Sequence, residues 1–214
     1  PGEATLAEVA RLDLRNTILL NSNSKVSIDL GKLEDTTAKF FMKAPDNNLL
    51  EFILSKKSIL VEGDAEFILL EKFFEIITGK STSFFNVNII SVGGTSFKRY
   101  LEVSNLLNIK TAVIRDNDNN YEKKCVENYK DYISDFVAIF SETNNDLSTF
   151  EISMYNVNKN ICDELFGPNR NTRSVLQYML DEKADCSFEL LDKKTDKIYV
   201  PNYIIEAIQW LIKD

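Results

Sequence analysis

The 214 residues suffice for one generous domain, or for a core domain with an extension. There is no histidine, and the three cysteines, Cys125, Cys162 and Cys186, are scattered, which excludes Ser-His-Asp and Cys-His catalysis, histidine-ligated zinc and a disulfide framework. The formal charge of −8 disfavours nucleic-acid binding by bulk attraction without forbidding it, because carboxylates gathered around hard cations inflate the negative count.

The opening "PGEATLAEVARLDLRN" has neither the basic start nor the apolar stretch of a secretory signal, and its Pro1 in place of Met suggests a fragment. No apolar run approaches the roughly eighteen residues of a membrane span, so a cytoplasmic protein is expected. Residues 1–55 read as an N-terminal extension, the end of or a linker from an absent domain. Within it, "SKVSIDLGKLEDTTAKFFMK" (24–43) holds a short strand and a helix start, and Pro45-Asp46-Asn47-Asn48 is a turn signal.

Residues 56–142 carry a βα rhythm. Apolar runs at 58–62, 87–92, 111–115 and 136–140 alternate with helical periodicity at 66–77, 96–107 and 122–132. Continuous β-branched runs between amphipathic helices predict an α/β fold with a parallel sheet covered on both faces, whose strands all end on one edge. Residues 143–214 form a helical C-terminal part: "TRSVLQYMLDEK" (172–183) is helical, and Pro201 opens a last amphipathic helix. The aromatics Phe73, Phe84, Tyr178 and Trp210 read as core, and the spans 79–88 and 141–148 as loops near the strand ends.

Chemistry concentrates at those strand ends. The first core strand runs into Glu62, with Glu66 four residues on, and the 111–115 strand runs into Asp116 and Asp118, which should face the same way in an extended segment. Carboxylates from both strands then meet on one rim, where they repel one another unless protons or cations intervene. Oxygen-only ligands select Mg²⁺ or Mn²⁺, which points to phosphoryl chemistry. Taken singly, an ExxxE at a helix start complements the helix dipole, and a DxD in an Asn-rich loop is a turn.

The strings "SILVEGDAE", "SVGGTSF" and "AVIRDND" together resemble the Toprim domain of the OLD (overcoming lysogenization defect) family of endonucleases, which includes the nuclease subunit of the Gabija antiphage system. The likeness runs from about residue 40 to the end. It implies a Toprim-type, Rossmann-like parallel sheet flanked by helices, and a nuclease that nicks or cleaves DNA with two Mg²⁺ or Mn²⁺ ions, plausibly in antiphage defence or DNA processing. On this resemblance Glu62, Asp116 and Asp118 hold one metal, Glu66 and Glu151 (in "STFEISM") contribute to the other, and Lys183 stabilises charge on the scissile phosphate. Glu62 has a second reading as general acid or base, and Lys193 or Lys194 could stand in for Lys183. The partners implied are DNA, an ATPase domain of the same full-length chain or of a partner, a helicase-like partner and further copies of the chain, with no membrane.

The sequence departs from the family pattern at two places: Asn120 occupies the third position of a longer DxDxD, and Arg115 precedes the first aspartate, where it could contact phosphate or pair with a carboxylate. "TGKST" (78–82) imitates a phosphate-binding loop, but Phe74 replaces the upstream glycine and the string ends a helix, so no ATP hydrolysis is expected. Gly93-Gly94 reads as a strand-to-helix turn. Two rivals remain: another Toprim activity such as strand passage or priming, for which the chain is short, and a catalytically silent Toprim module that regulates an ATPase or binds a partner protein.

Overall fold

The computed structural model describes residues 18–19, 28–43, 48–93, 96–169 and 172–213. A short antiparallel pair, β1 (Ile18–Leu19) and β2 (Ile28–Asp29), precedes two helices, α1 (Asp35–Lys43) and α2 (Leu49–Leu54). The turn read at Pro45-Asp46-Asn47 lies outside the described residues. Asn48, with φ +46°, leads into α2.

The central sheet comprises β3 (Lys57–Val61), β4 (Val87–Ser91), β5 (Lys110–Ile114) and β6 (Val137–Phe140), all parallel, in the order β4-β3-β5-β6. Each lies within a residue of an apolar run in the sequence. Side chains alternate across the sheet. Ile59, Val61, Ala112 and Ile114 face one core, and Leu60, Ile90 and Val113 face the other. This burial on both sides is why the runs are apolar throughout and not alternating.

The first core is closed by α3 (Asp64–Thr78) and the C-terminal helices α5 (Phe150–Val157), α6 (Lys159–Phe166), α7 (Val175–Asp181), α8 (Lys183–Lys194) and α9 (Asn202–Ile212). Here α8 packs on α3, and α9 lies against β5 and β6. The second core is closed by α4 (Phe97–Leu107), with Phe41 of α1 and Phe52 of α2 edge-on to Tyr100 at 5.2 Å. The described part of the N-terminal 55 residues therefore contributes apolar side chains to the face of the sheet that α4 covers.

Local readings mostly hold. Gly79 (φ +69°) is the left-handed C-cap of α3, so "TGKST" does end a helix. Gly93 (φ +60°) makes the turn after β4, and Gly94 lies outside the described residues. Pro201 precedes α9 as its cap.

Three readings change. The helix expected at 122–132 is a single π-helical turn, Glu122–Glu127, in which the Asn128 N–H donates to the Lys123 carbonyl at 3.1 Å. Turns follow, and they tuck Tyr129 against Arg115. The helix read at 172–183 breaks at Glu182, and α8 starts at Lys183. Phe84 is exposed, not core, because it rides a 3₁₀ turn (Thr82–Phe85) where Phe85 takes the inner place against Phe74.

Since α9 seals the sheet, truncating Ile208, a fully buried residue of that helix, should cost about 2–5 kcal/mol. Leu54→Ala, at an exposed position, should stay within about 0.5 kcal/mol of the parent. Urea unfolding midpoints at constant slope check both.

Candidate functional site

β3 and β5 are neighbours in register, Leu60 beside Val113, so the residues that follow them emerge side by side. Glu62 and Asp116 lie there, on the carboxyl edge of the sheet, and both line one pocket of about 210 Å³. Glu66 enters from the first turn of α3, Glu151 from the first turn of α5, and Lys183 from the start of α8. Five of the six residues singled out by sequence thus meet in a single depression. Lys193 and Lys194 pair elsewhere, with Glu189 and Glu164, which leaves Lys183 as the lysine of the site.

Local structure explains the placement. A Cβ on Gly63 would sit 3.2 Å from the Glu66 carboxylate, so the glycine lets that side chain fold back toward the strand end. Thr149 caps α5 by accepting the Ile152 N–H at 3.4 Å. The Phe150 N–H, next along the chain, donates to Asp116 Oδ1 at 2.7 Å, which ties the strand β5 exit to the start of α5.

The electrostatics are those of crowded acids. Burial first, and then the carboxylates of Glu151 and Glu62, push the Glu66 pKa up to about 7. Burial again, with Glu66, Glu151 and Glu62, pushes Asp116 to about 8 even though the Phe150 N–H works the other way. Glu62 is raised chiefly by burial, against an opposing pull from Arg115. Lys183 donates to Glu151 Oε2 at 3.1 Å. Burial works against its charge, but the facing carboxylates of Glu151, Asp116 and Glu66 outweigh it and raise its pKa.

Asp118 does not join the pocket. The segment is not extended there: Asp118 and Asn119 have φ +48° and +61°, a left-handed bend that Asp and Asn tolerate. The bend turns the Asp118 carboxylate to Arg115 Nη2 at 3.0 Å and Lys124 Nζ at 3.3 Å.

Asn117, between the two aspartates, is a residue the motif conceals. It is buried, it donates to the carbonyls of Glu142 at 2.7 Å and Asn144 at 3.1 Å, and it accepts the Asn119 N–H, pinning the β6 exit loop to the site. Asn120 caps the following turn, accepting the Lys123 N–H on its side chain at 3.1 Å. Tyr203 of α9 is buried close enough to Asp116 and Glu66 for their charges to help raise its pKa, burial being the main cause. Nothing in its helical, apolar sequence context marks it.

Among the described residues, no three acidic or cysteine side chains are gathered closely enough to hold a metal ion as they stand. The donor set nevertheless suits a hard divalent cation: Glu62, Glu66, Asp116 and Glu151 offer only oxygen, and their mutual repulsion is what such an ion relieves.

Residues 53–118 match the family model described as overcoming lysogenization defect protein-like, TOPRIM domain. In fold the chain is similar to the C-terminal region of the Burkholderia pseudomallei OLD protein, at 16% identity and TM-score 0.55, covering 74% of this chain and 99% of that one. It is also similar to the C-terminal region of the Xanthomonas campestris pv. campestris OLD protein, phased with mercury, at 17% identity and TM-score 0.51, covering 74% and 95%. No curated protein matches the chain by sequence.

The raised carboxyl pKa values link the site to stability. In the unfolded chain these groups ionise near 3.8 for Asp116 and 4.5 for Glu66, and in the folded one near 8 and 7. Their contribution is therefore fully present below the unfolded values and is lost as pH rises through the folded ones. In EDTA the thermal midpoint should fall between about pH 5 and about pH 8, and the fall should be smaller for Glu66→Gln, which cannot ionise. Parallel falls in the two proteins, followed by circular dichroism, would remove carboxylate repulsion as the cause.

Proposed function

We propose that this chain, whose residues 53–118 match a Toprim domain of the OLD type, is a metal-dependent DNA nuclease module that nicks or cleaves phosphodiester bonds. The observation that carries the reading is the convergence of Glu62, Glu66, Asp116, Glu151 and Lys183, from separate elements, on one pocket at the carboxyl edge of the sheet.

Glu62, Asp116 and, once turned from its present partners, Asp118 would hold one ion, with Glu66 and Glu151 contributing to a second. Bound Mg²⁺ or Mn²⁺ would supply an activated water and stabilise the leaving oxygen. Lys183 is half-exposed and charged, so its ammonium can leave Glu151 and meet a phosphate oxygen as negative charge grows there. Glu62 is partly exposed at the mouth of the site and has a raised pKa, which also suits it to exchange a proton with the attacking or leaving oxygen. Buried Asn117 and the Phe150 N–H keep the two loops that bear the acids in fixed relation.

The setting we infer is an OLD-type protein that couples this module to an ATPase domain, works in the cytoplasm, assembles as a homo-oligomer and serves antiphage defence or DNA processing, with or without a helicase-like partner. Among the described residues, no helix is long and apolar enough to cross a membrane. A second reading, a catalytically silent module that binds or regulates a partner, is favoured by one observation: Asp118 is held away from the other carboxylates by two cations.

Supercoiled plasmid incubated with EDTA, Mg²⁺ or Mn²⁺ separates the readings. Nicking should need the metal and vanish in Glu62→Ala and Asp116→Asn. Lys183→Ala should slow it by about 10²–10³-fold, as when one donor to transition-state charge is removed. Plasmid left intact in every metal by folded protein would favour the silent module.

A further inference from the structure

Beside the acidic pocket lies a cluster of opposite sign. Arg115, buried at 7% exposure, donates through Nε to the Asp116 carbonyl at 2.8 Å, through Nη1 to the Tyr129 hydroxyl at 3.0 Å and through Nη2 to Asp118 Oδ2 at 3.0 Å. Its guanidinium also lies 5.6 Å from the centre of the Tyr129 ring. Lys98 Nζ is 5.7 Å from that same ring centre and 5.8 Å from that of Tyr132. Lys124 Nζ sits 3.3 Å from Asp118 Oδ2.

Two cations thus share one carboxylate, and a third, Lys98, is held over a ring that Arg115 also meets, in a chain whose net charge is −8. Two of the cations are shaped by the fold and are not loose on the surface. Arg115 is clamped by a backbone carbonyl and a tyrosine, and Lys98 is held over two rings, each contact attractive for a cation. The one replaceable ligand is Asp118, 42% exposed and on a left-handed bend outside the pocket.

We propose that Arg115 and Lys124, backed by Lys98, form a phosphate-binding subsite for the nucleic-acid backbone, and that the Asp118 carboxylate occupies it as an internal stand-in. This deepens the nuclease reading and rests on it for the identity of the anion. The physical reason is the near-complete burial of Arg115. A buried guanidinium that loses its carboxylate must receive another anion or leave a charged donor unsatisfied, which is strongly unfavourable. A phosphodiester oxygen matches that donor and also accepts from Lys124. Movement of Asp118 toward the other carboxylates and arrival of a backbone phosphate therefore favour each other, and by linkage each ligand strengthens the other.

The test measures binding of a fluorescein-labelled DNA duplex by anisotropy in EDTA, so that neither metal nor cleavage enters. Asp118→Asn keeps a residue that accepts the left-handed bend but removes the competing charge. It should bind about three- to tenfold tighter than the parent, within the range of coupling between residues in contact. Lys124→Gln should cost little in the parent, where Asp118 occupies the lysine, and should abolish most of the gain when combined with Asp118→Asn. Both positions are about two-fifths exposed, and thermal melts of each variant serve as the check that it folds. Additive effects of the two substitutions would mean a general charge effect and overturn the proposal, as would unchanged affinity in Asp118→Asn or the absence of binding by every variant. The nuclease reading stands or falls separately on metal-dependent plasmid nicking.

Discussion

Like charges brought together at the end of a parallel sheet are the constraint on which the rest of this molecule depends. Glu66 and Glu151 are almost wholly buried, and their charges, with burial as the main cause, help push the Asp116 pKa to about 8. No arrangement of this kind persists by attraction among its members. It persists because each acid is fixed by backbone structure that is itself secured in the core. Glu62 leaves a strand buried on both faces. Glu66 and Glu151 stand in the first turns of α3 and α5, where the positive ends of the helix dipoles offset part of their charge. Asp116 is tied by the Phe150 N–H.

That dependence explains the extent of the flanking structure. Four strands of four or five residues make a small sheet, and side chains on both of its faces need covering. The C-terminal helices cover one face and also deliver Glu151 and Lys183 to the rim, so the elements that close the core are the same ones that complete the site. Phe41 and Phe52 from the N-terminal part pack against Tyr100 beneath the other face. Trp210 of α9 reaches Phe140 at the end of β6, bracing the edge strand whose exit loop Asn117 holds.

Much of this was legible in the sequence because the determining signals are local. Apolar runs separated by helical periodicity specify parallel strands, and parallel strands put Glu62 and Asp116 on one edge without any further information. Positions set by long-range contacts were opaque. Asp118 was expected beside Asp116 on the assumption of an extended chain, but the positive φ at Asp118 and Asn119 turns it toward Arg115. Asn117 looks like a spacer in "RDND", and only the fold reveals that it secures a loop some 25 residues away. The helix expected at 122–132 has adequate periodicity, yet tertiary packing of Tyr129 on Arg115 prevails over it. Glu151 and Lys183 entered through family likeness alone, since no spacing rule brings residues 32 apart into an ion pair.

The departures from the family pattern acquire a common physical sense in this arrangement. The arginine ahead of the first aspartate partly offsets the charge of Glu62, whose pKa it draws down against burial. Its guanidinium is also engaged with Tyr129 and Asp118, while its Nε fixes the Asp116 carbonyl. Asn120, in place of a third acid, caps the turn that carries Lys124. Arg115 and the turn capped by Asn120 together build a cationic edge next to an anionic depression. On the proposed nuclease reading both signs would be needed at close range: the acids would gather the metal, and the basic edge would offset the repulsion that the chain's overall charge of −8 would otherwise impose on nucleic acid.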